Sequence, residues 1–506
     1  MPKELPAEPN LEHLRKQAKN LLRTWRQQDA GTRRQLADAQ HEIAREYGFT
    51  TWTDLKHHVE TLIETADPAR ALLDAIRWED AGAVRRILAS SSALRANIDG
   101  PLAGGAFGQT ALLEAVIRSN EAMVDVLLGV GADINQKSHW WAGGFHVLDQ
   151  ASPDFAPYLI QRGAVPEAPA AARLGMIDEL RAMIADDPSV VHFHGPDGQT
   201  ALHDASTIEI ARLLLEHGAD INALDIDHES TAAQYMLQDG PTRQYPKDRK
   251  DIARELVARG CRTDILMASA LGDLALVTRH LDANPESIRT RVDDLWFPKK
   301  NPEAGGTIYI WTLGHHRTAH SIAKTFDHPE VYQLLMDRSP RDLRFAIAAE
   351  VGDGPAFREL LAEQPDLIAT LSDADKRKLA DAAENSNFDA VRLMLTSGWP
   401  VDFMGMHRAS ALHWAAFHGD TEMVREILRY HPTIDIIDGA YNGTPLGWAG
   451  YGSENGWRRD GADYPGTVQA LLEAGAHIPE QIDHWTATDA VRDVIDRFRR
   501  ESVKNS

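Results

Sequence analysis

Residues 410–432 read SALHWAAFHGDTEMVREILRYHP, and the reading of this stretch decides the fold. Leu412, Ala415 and Ala416 set one apolar stripe at helical spacing; Met423, Val424, Ile427 and Leu428 set a second. His418-Gly419-Asp420 breaks the pattern between them, and a glycine just past the last periodic residue is where a helix stops. Ser410 stands where the first free N–H groups of a helix need a hydroxyl cap. The spacing predicts two short helices joined by a tight turn.

The unit recurs along the chain. Gly108-Gln109-Thr110-Ala111-Leu112 leads through Ala115, Val124 and Leu127-Leu128 to Gly131-Ala132-Asp133-Ile134-Asn135. Gly198-Gln199-Thr200-Ala201-Leu202-His203 leads to Leu214-Leu215 and Gly218-Ala219-Asp220-Ile221-Asn222. Thr444-Pro445-Leu446-Gly447-Trp448-Ala449 leads to Leu471-Leu472 and Gly475-Ala476. Less regular copies begin near Ala71, His146, Ala171, Thr231, Ala268, Thr318, Leu343 and Leu379. Each unit is too small to bury its own apolar face, so neighbours must stack into a continuous core.

These motifs resemble the ankyrin repeat, which runs Thr-Pro-Leu-His-x-Ala-Ala-x-x-Gly-His and then Val-x-x-Leu-Leu. The resemblance implies an all-α solenoid of roughly ten to twelve units, since the repeat period is about 33 residues. We place it at residues 66–480, with a helical cap over residues 1–65 and a capping helix in residues 481–506. Two segments interrupt the pattern, at about 292–316 and 450–466. In the first, residues 307–311 have the composition of a short strand. The chain is also similar to a bacterial branch of ankyrin proteins that share the amino-terminal helical segment and both insertions. A basic docking domain is the other reading of residues 1–65, because Arg15, Lys16, Lys19 and Arg23 surround the first helix.

Composition narrows the function. With 75 acidic against 53 basic residues the formal net charge is −22, which opposes binding to nucleic acid or anionic membrane. No stretch reaches membrane-spanning length, and no apolar leader follows Met1. The lone Cys261 rules out a disulfide framework and fits a reducing, cytoplasmic setting.

Three groups of residues stand out as candidates. His315, His316 and His320 lie around the first insertion, with Trp311 beside them. His316 and His320 are four apart, but Arg317-Thr318 reads as the turn before a helix, which weakens a shared metal site. The expectation is therefore no metal and no cofactor, with a polar pocket and a structural plug as competing readings. The second group is aromatic: Trp414 and Phe417 in one repeat, Trp448 and Tyr451 at matching positions in the next, expected at exposed inner-helix slots, where the tryptophans either fill the interface between repeats or floor a ligand pocket. Trp457 and Arg458 from the second insertion would flank them beside Glu454, and Trp140 and Trp141 would add to the same concave side. His203 and His413 form the third group. They fill the family's Leu-His slot, where an imidazole bonds turn backbone, and read as structural.

The leading functional reading is a binding module that recognises a protein partner through its concave face, with a small-molecule ligand as a lesser option. The alternative is a metal-independent acid/base enzyme (lyase, isomerase or hydrolase). It would use His315, His316 or His320 with Glu454, in a pocket covered by both insertions.

Overall fold

The computed structural model describes residues 3–6, 9, 11–28, 34–238, 248–456, 461–478 and 486–505. Among these residues every regular element is a helix. β-type pairing is confined to isolated bridges joining His194 to Thr200, Leu224 to Thr231 and Arg291 to Thr318. The chain divides into two compact units, Met1–Arg262 with Pro298–Ile308, and Thr263–Phe297 with Tyr309–Ser506.

The first unit opens with three helices, Leu11–Gln28, Leu36–Glu46 and Trp52–Ala66, packed around Leu14, Ala18, Leu22, Ile43, Leu55 and Val59. Helix pairs follow, and their boundaries have local causes. The Thr110 hydroxyl accepts the Leu113 N–H at the start of the Ala111–Ile117 helix, and Asn120 does the same for Met123 in Glu121–Gly129. Gly131, at φ +102°, makes the turn that ends the pair. Leu112, Ala115, Val124 and Leu127 are buried between neighbouring pairs. Full burial of one such side chain contributes about 1.5–3 kcal/mol, available only when the next repeat covers it.

The second unit repeats the scheme, from Ile265–Leu271 to the pairs Ala411–Phe417 with Thr421–Leu428 and Pro445–Asn455 with Tyr464–Glu473, and then the helix Asp489–Asn505. Small residues set the spacing of its inner helices. Ala415, Ala416 and Ala449 are fully buried, and a Cβ added to Gly452 would stand 2.2 Å from the Phe417 carbonyl oxygen.

Histidines in the Leu-His slot join one repeat to the next. The backbone N–H of Ser410 donates to His413 Nδ1 at 3.1 Å, so the ring carries its proton on Nε2 and donates it to the Gly443 carbonyl at 3.1 Å. His203 does the same between Thr200 N–H and the Ser230 carbonyl. Both side chains have structural roles.

Two local expectations change. The segment read as a strand from residue 307 instead forms a helical turn, Tyr309–Thr312, whose Tyr309 is buried and donates its hydroxyl proton to Asp264 at 2.8 Å. The second insertion is in large part not a loop, because the inner helix runs on through Gly450 to Asn455.

Candidate functional site

In the second unit, six rings surround a cavity of about 600 Å³: His407, Trp414, Phe417, Tyr441, Trp448 and Tyr451, with Asn442, Gly443, Gly447 and Thr486 completing the wall. They come from equivalent positions of two consecutive repeats. His407 and Tyr441 each precede the helix-capping hydroxyl residue, Ser410 or Thr444, by three positions. Trp414 and Trp448 follow it by four, and Phe417 and Tyr451 by seven. Stacking of the repeats therefore pairs the rings, with centroid separations of 5.2 Å for His407–Tyr441, 5.1 Å for Trp414–Trp448 and 6.4 Å for Phe417–Tyr451. The two tryptophans meet edge to face, with 84° between their planes, the arrangement the ring quadrupole favours.

Exposure differs from the sequence expectation. Trp414, Phe417 and Trp448 are 2%, 6% and 7% exposed, so they are buried residues bordering a hollow and not exposed slots. The reason is mutual: two indoles and a phenyl ring on adjoining inner helices cover one another. Tyr451, at 53%, and Tyr441, at 67%, form the open rim.

Behind Trp448 lies Asp438, nearly inaccessible to water. The Trp448 indole N–H donates to its Oδ2 at 2.9 Å, and the backbone N–H groups of Ala440, Tyr441 and Gly443 donate to the same carboxylate. Burial alone would raise this carboxyl, but donors from Tyr441, Trp448, Gly443 and Ala440 outweigh it and hold the pKa below its ordinary value. The aromatic wall is thus backed by a fixed negative charge.

His407 also borders a second, more open hollow of about 550 Å³, lined by Asp293, Asp294, Leu295, His315, His316, Arg377 and Arg408 among others. The rings of His315 and His316 lie 3.8 Å apart. The Arg377 guanidinium donates to His316 Nε2, which fixes that ring as a neutral acceptor. Burial, then the neighbouring His315 and Arg377, push the His316 pKa down to about 2; burial and Arg377 also lower that of His315.

The remaining sequence candidates scatter. His320 is fully buried, lines neither hollow, and donates from Nε2 to the Ser339 hydroxyl, whose own proton goes to the Leu335 carbonyl. Glu454 is exposed one turn beyond Tyr451 and does not line the hollow that holds His315 and His316. Trp311 is 74% exposed and borders neither hollow. Trp140 and Trp141 belong to the first unit, where Trp140 packs edge-on against Phe107 at 4.9 Å. Trp457 and Arg458 lie outside the described residues. The sequence reading missed His407, Tyr441 and Asp438. The signal for the first two was their shared register ahead of the helix caps.

The Ankyrin repeat family model matches three places, residues 107–139, 197–226 and 407–439. The third carries His407, Trp414, Phe417 and Asp438. Together with the helix-only architecture these matches make the chain an all-α protein of the ankyrin-repeat type. Among curated proteins, Palmitoyltransferase Hip14 of Drosophila melanogaster is 31% identical over 117 residues, 23% of this chain and 17% of that protein. Palmitoyltransferase ZDHHC13 of Mus musculus is 27% identical over 89 residues, covering 18% of this chain and 14% of its own. E3 ubiquitin-protein ligase XB3 of Oryza sativa subsp. japonica is 31% identical over 98 residues, 19% of this chain and 22% of that one. The chain thus spans less than a quarter of each relative it matches. Among the described residues no helix is long and apolar enough to cross a membrane.

Proposed function

We propose that the chain is a protein-binding module and that the aromatic cavity receives a basic side chain, lysine or arginine, of its partner. Ankyrin repeats are protein-interaction modules, which supports the general class. The chemistry of the occupant rests on one observation: Asp438, held ionised behind Trp448, lies at the back of a cavity walled by six rings. A cation over an indole or phenol face gains about 0.5–2 kcal/mol, more as water is excluded. The indole N–H bonded to a carboxylate enriches the electron density of the face that Trp448 presents. The formal net charge of −22 draws a basic partner from a distance and repels an acidic one. The cavity lies on the inner-helix and turn side of the repeats, the side the sequence assigns to the concave face. Binding is preferred to acid/base catalysis because Glu454, the expected carboxylate partner, does not line the hollow that holds His315 and His316.

The test is selection of a random linear-peptide library against the immobilised full chain. Peptides carrying Lys or Arg at a fixed position are expected to be enriched. Their affinity should fall about tenfold in Tyr441→Ala and Tyr451→Ala, rim changes that leave the buried core intact. Enrichment without basic residues, no enrichment at all, or undiminished binding by both variants would refute the reading. If free alkylammonium ions bind as tightly as the peptides, the ligand is a small cation and not a protein.

A further inference from the structure

The first unit brings together three groups that the binding reading does not use. Asp197 precedes Thr200 by three positions and His228 precedes Thr231 by three, the sequence register that sets His407 beside Tyr441 in the second unit. The two turns are tied through backbone: the N–H groups of Ile226 and Asp227 both donate to the Asp197 carbonyl, at 2.9 and 3.0 Å. As a result one carboxylate oxygen of Asp197, one of Asp227 and a ring nitrogen of His228 all lie within 4.8 Å of one another.

The surroundings fix which atoms are available. His228 Nδ1 lies 2.8 Å from the Gly306 carbonyl, which can only accept, so Nδ1 carries a proton and Nε2 is the nitrogen left to face the carboxylates as a ligand. A backbone carbonyl holding the far nitrogen in this way is the usual outer support of a metal-bound histidine. The Gly305 N–H donates to Asp227 Oδ1 at 3.2 Å, while Oδ2 stands 3.5 Å from His228 Nε2. Gly305 is needed at this point: a Cβ there would come 3.2 Å from His228 Cε1 and 3.3 Å from Asp227 Oδ2. The side chains of Asp227 and His228 are only 9% and 11% exposed. Asp197 Oδ1 is sealed from solvent, with the Trp140 indole beside that carboxylate but not closing a hydrogen bond to Oδ1.

We propose that Asp197, Asp227 and His228 bind a divalent transition-metal cation, Zn²⁺ or Mn²⁺. A cation 2.0–2.2 Å from each ligand atom requires them about 3–3.5 Å apart, so small side-chain rotations complete the set. An imidazole with two carboxylates selects Zn²⁺ or Mn²⁺ over Mg²⁺ and Ca²⁺, which take oxygen ligands. Asp197 also borders a polar cavity of about 80 Å³ lined by Asp149, Arg173, Gln199 and Asp204, among others. That space is polar and large enough to hold water beside Asp197. The site is independent of the aromatic cavity.

The experiment titrates the chelator-treated full chain with Zn²⁺ in competition with a chromophoric chelator, and with Mn²⁺ followed by electron paramagnetic resonance. One equivalent should bind, Mg²⁺ at the same concentration should not displace it, and Asp197→Asn and His228→Gln should each weaken binding at least tenfold. Circular dichroism and melting of the metal-free variants report folding; if one variant is unfolded, the other or Asp227→Asn reads the same site. Failure of the wild type to bind an equivalent overturns the proposal. So does retention of equal affinity by the folded variants, which would place the metal on other histidines.

Discussion

Acidification should weaken the first unit through His203, by an amount that follows from its surroundings. The ring is completely buried, accepts the Thr200 N–H on Nδ1 and donates Nε2–H to the Ser230 carbonyl. A second proton on Nδ1 would take away the acceptor of the Thr200 N–H, and burial drives the pKa from 6.5 to about 4. In the unfolded chain the ring titrates near 6.5, so between these values the unfolded state binds more protons and stability falls as pH falls. A fall of the pKa from 6.5 to about 4 corresponds to at most about 3 kcal/mol below pH 4, and about 2 kcal/mol is already lost at pH 5. Asp149, whose carboxyl burial raises to about 7, works in the opposite direction, because its folded form holds a proton that the unfolded form releases. The net acid response is therefore not diagnostic, but a difference between variants is. His203→Gln keeps an acceptor for Thr200 and a donor for Ser230 without a titration near neutrality. Denaturant unfolding of wild type and variant at pH 7.5 and 5.0 should show the variant losing about 2 kcal/mol less than the wild type between the two conditions. Equal losses would show that His203 does not stay neutral in the folded protein, and the reasoning would fail.

Two further changes probe packing in the second unit. Gly452→Ala places a methyl 2.2 Å from the Phe417 carbonyl oxygen, so the inner helices must part; a loss of about 1–3 kcal/mol in denaturant unfolding is expected, together with weaker peptide binding. His320→Leu should leave stability unchanged or raise it by about 1–2 kcal/mol. It removes a ring whose Nδ1 is buried without a partner, while the Ser339 hydroxyl keeps its bond to the Leu335 carbonyl. A fall in the unfolding midpoint would mean that the His320–Ser339 bond outweighs that orphaned nitrogen.

The repeat architecture was legible because its determinants are local. Thr110 and Thr444 cap helices through their own hydroxyls, Ser410 pairs with the His413 ring three residues on, and Gly131 and Gly475 turn the chain at positive φ, so each boundary is written in residues a few positions apart. The aromatic pairs were half legible. Matching positions in successive repeats announced that Trp414 would stand beside Trp448 but left open whether they fill the interface or floor a pocket; edge-to-face packing buries both and leaves the tyrosines at the rim. The helical turn Tyr309–Thr312 was misread because β-branched and aromatic residues favour a strand only where a partner strand exists, and here Tyr309 is instead drawn inward to Asp264. Least legible was the segment Pro298–Ile308, whose Gly305 and Gly306 reach Asp227 and His228 from far along the sequence.

One register nevertheless links the two candidate sites. The position three residues ahead of the repeat's Thr or Ser holds Phe107, Asp197, His228, His407 and Tyr441 in different repeats. It lies on a turn that helix packing does not constrain, so its side chain is free to vary, yet stacking sets it beside the same position of the next repeat. Two rings at consecutive copies make an aromatic wall, and a carboxylate followed by an imidazole makes part of a metal shell. Exchanging that residue should therefore alter what is bound while leaving the helices intact. Asp197→Asn and Tyr441→Ala meet this condition in the two units, and each should weaken binding of its own ligand about tenfold or more without changing the binding of the other.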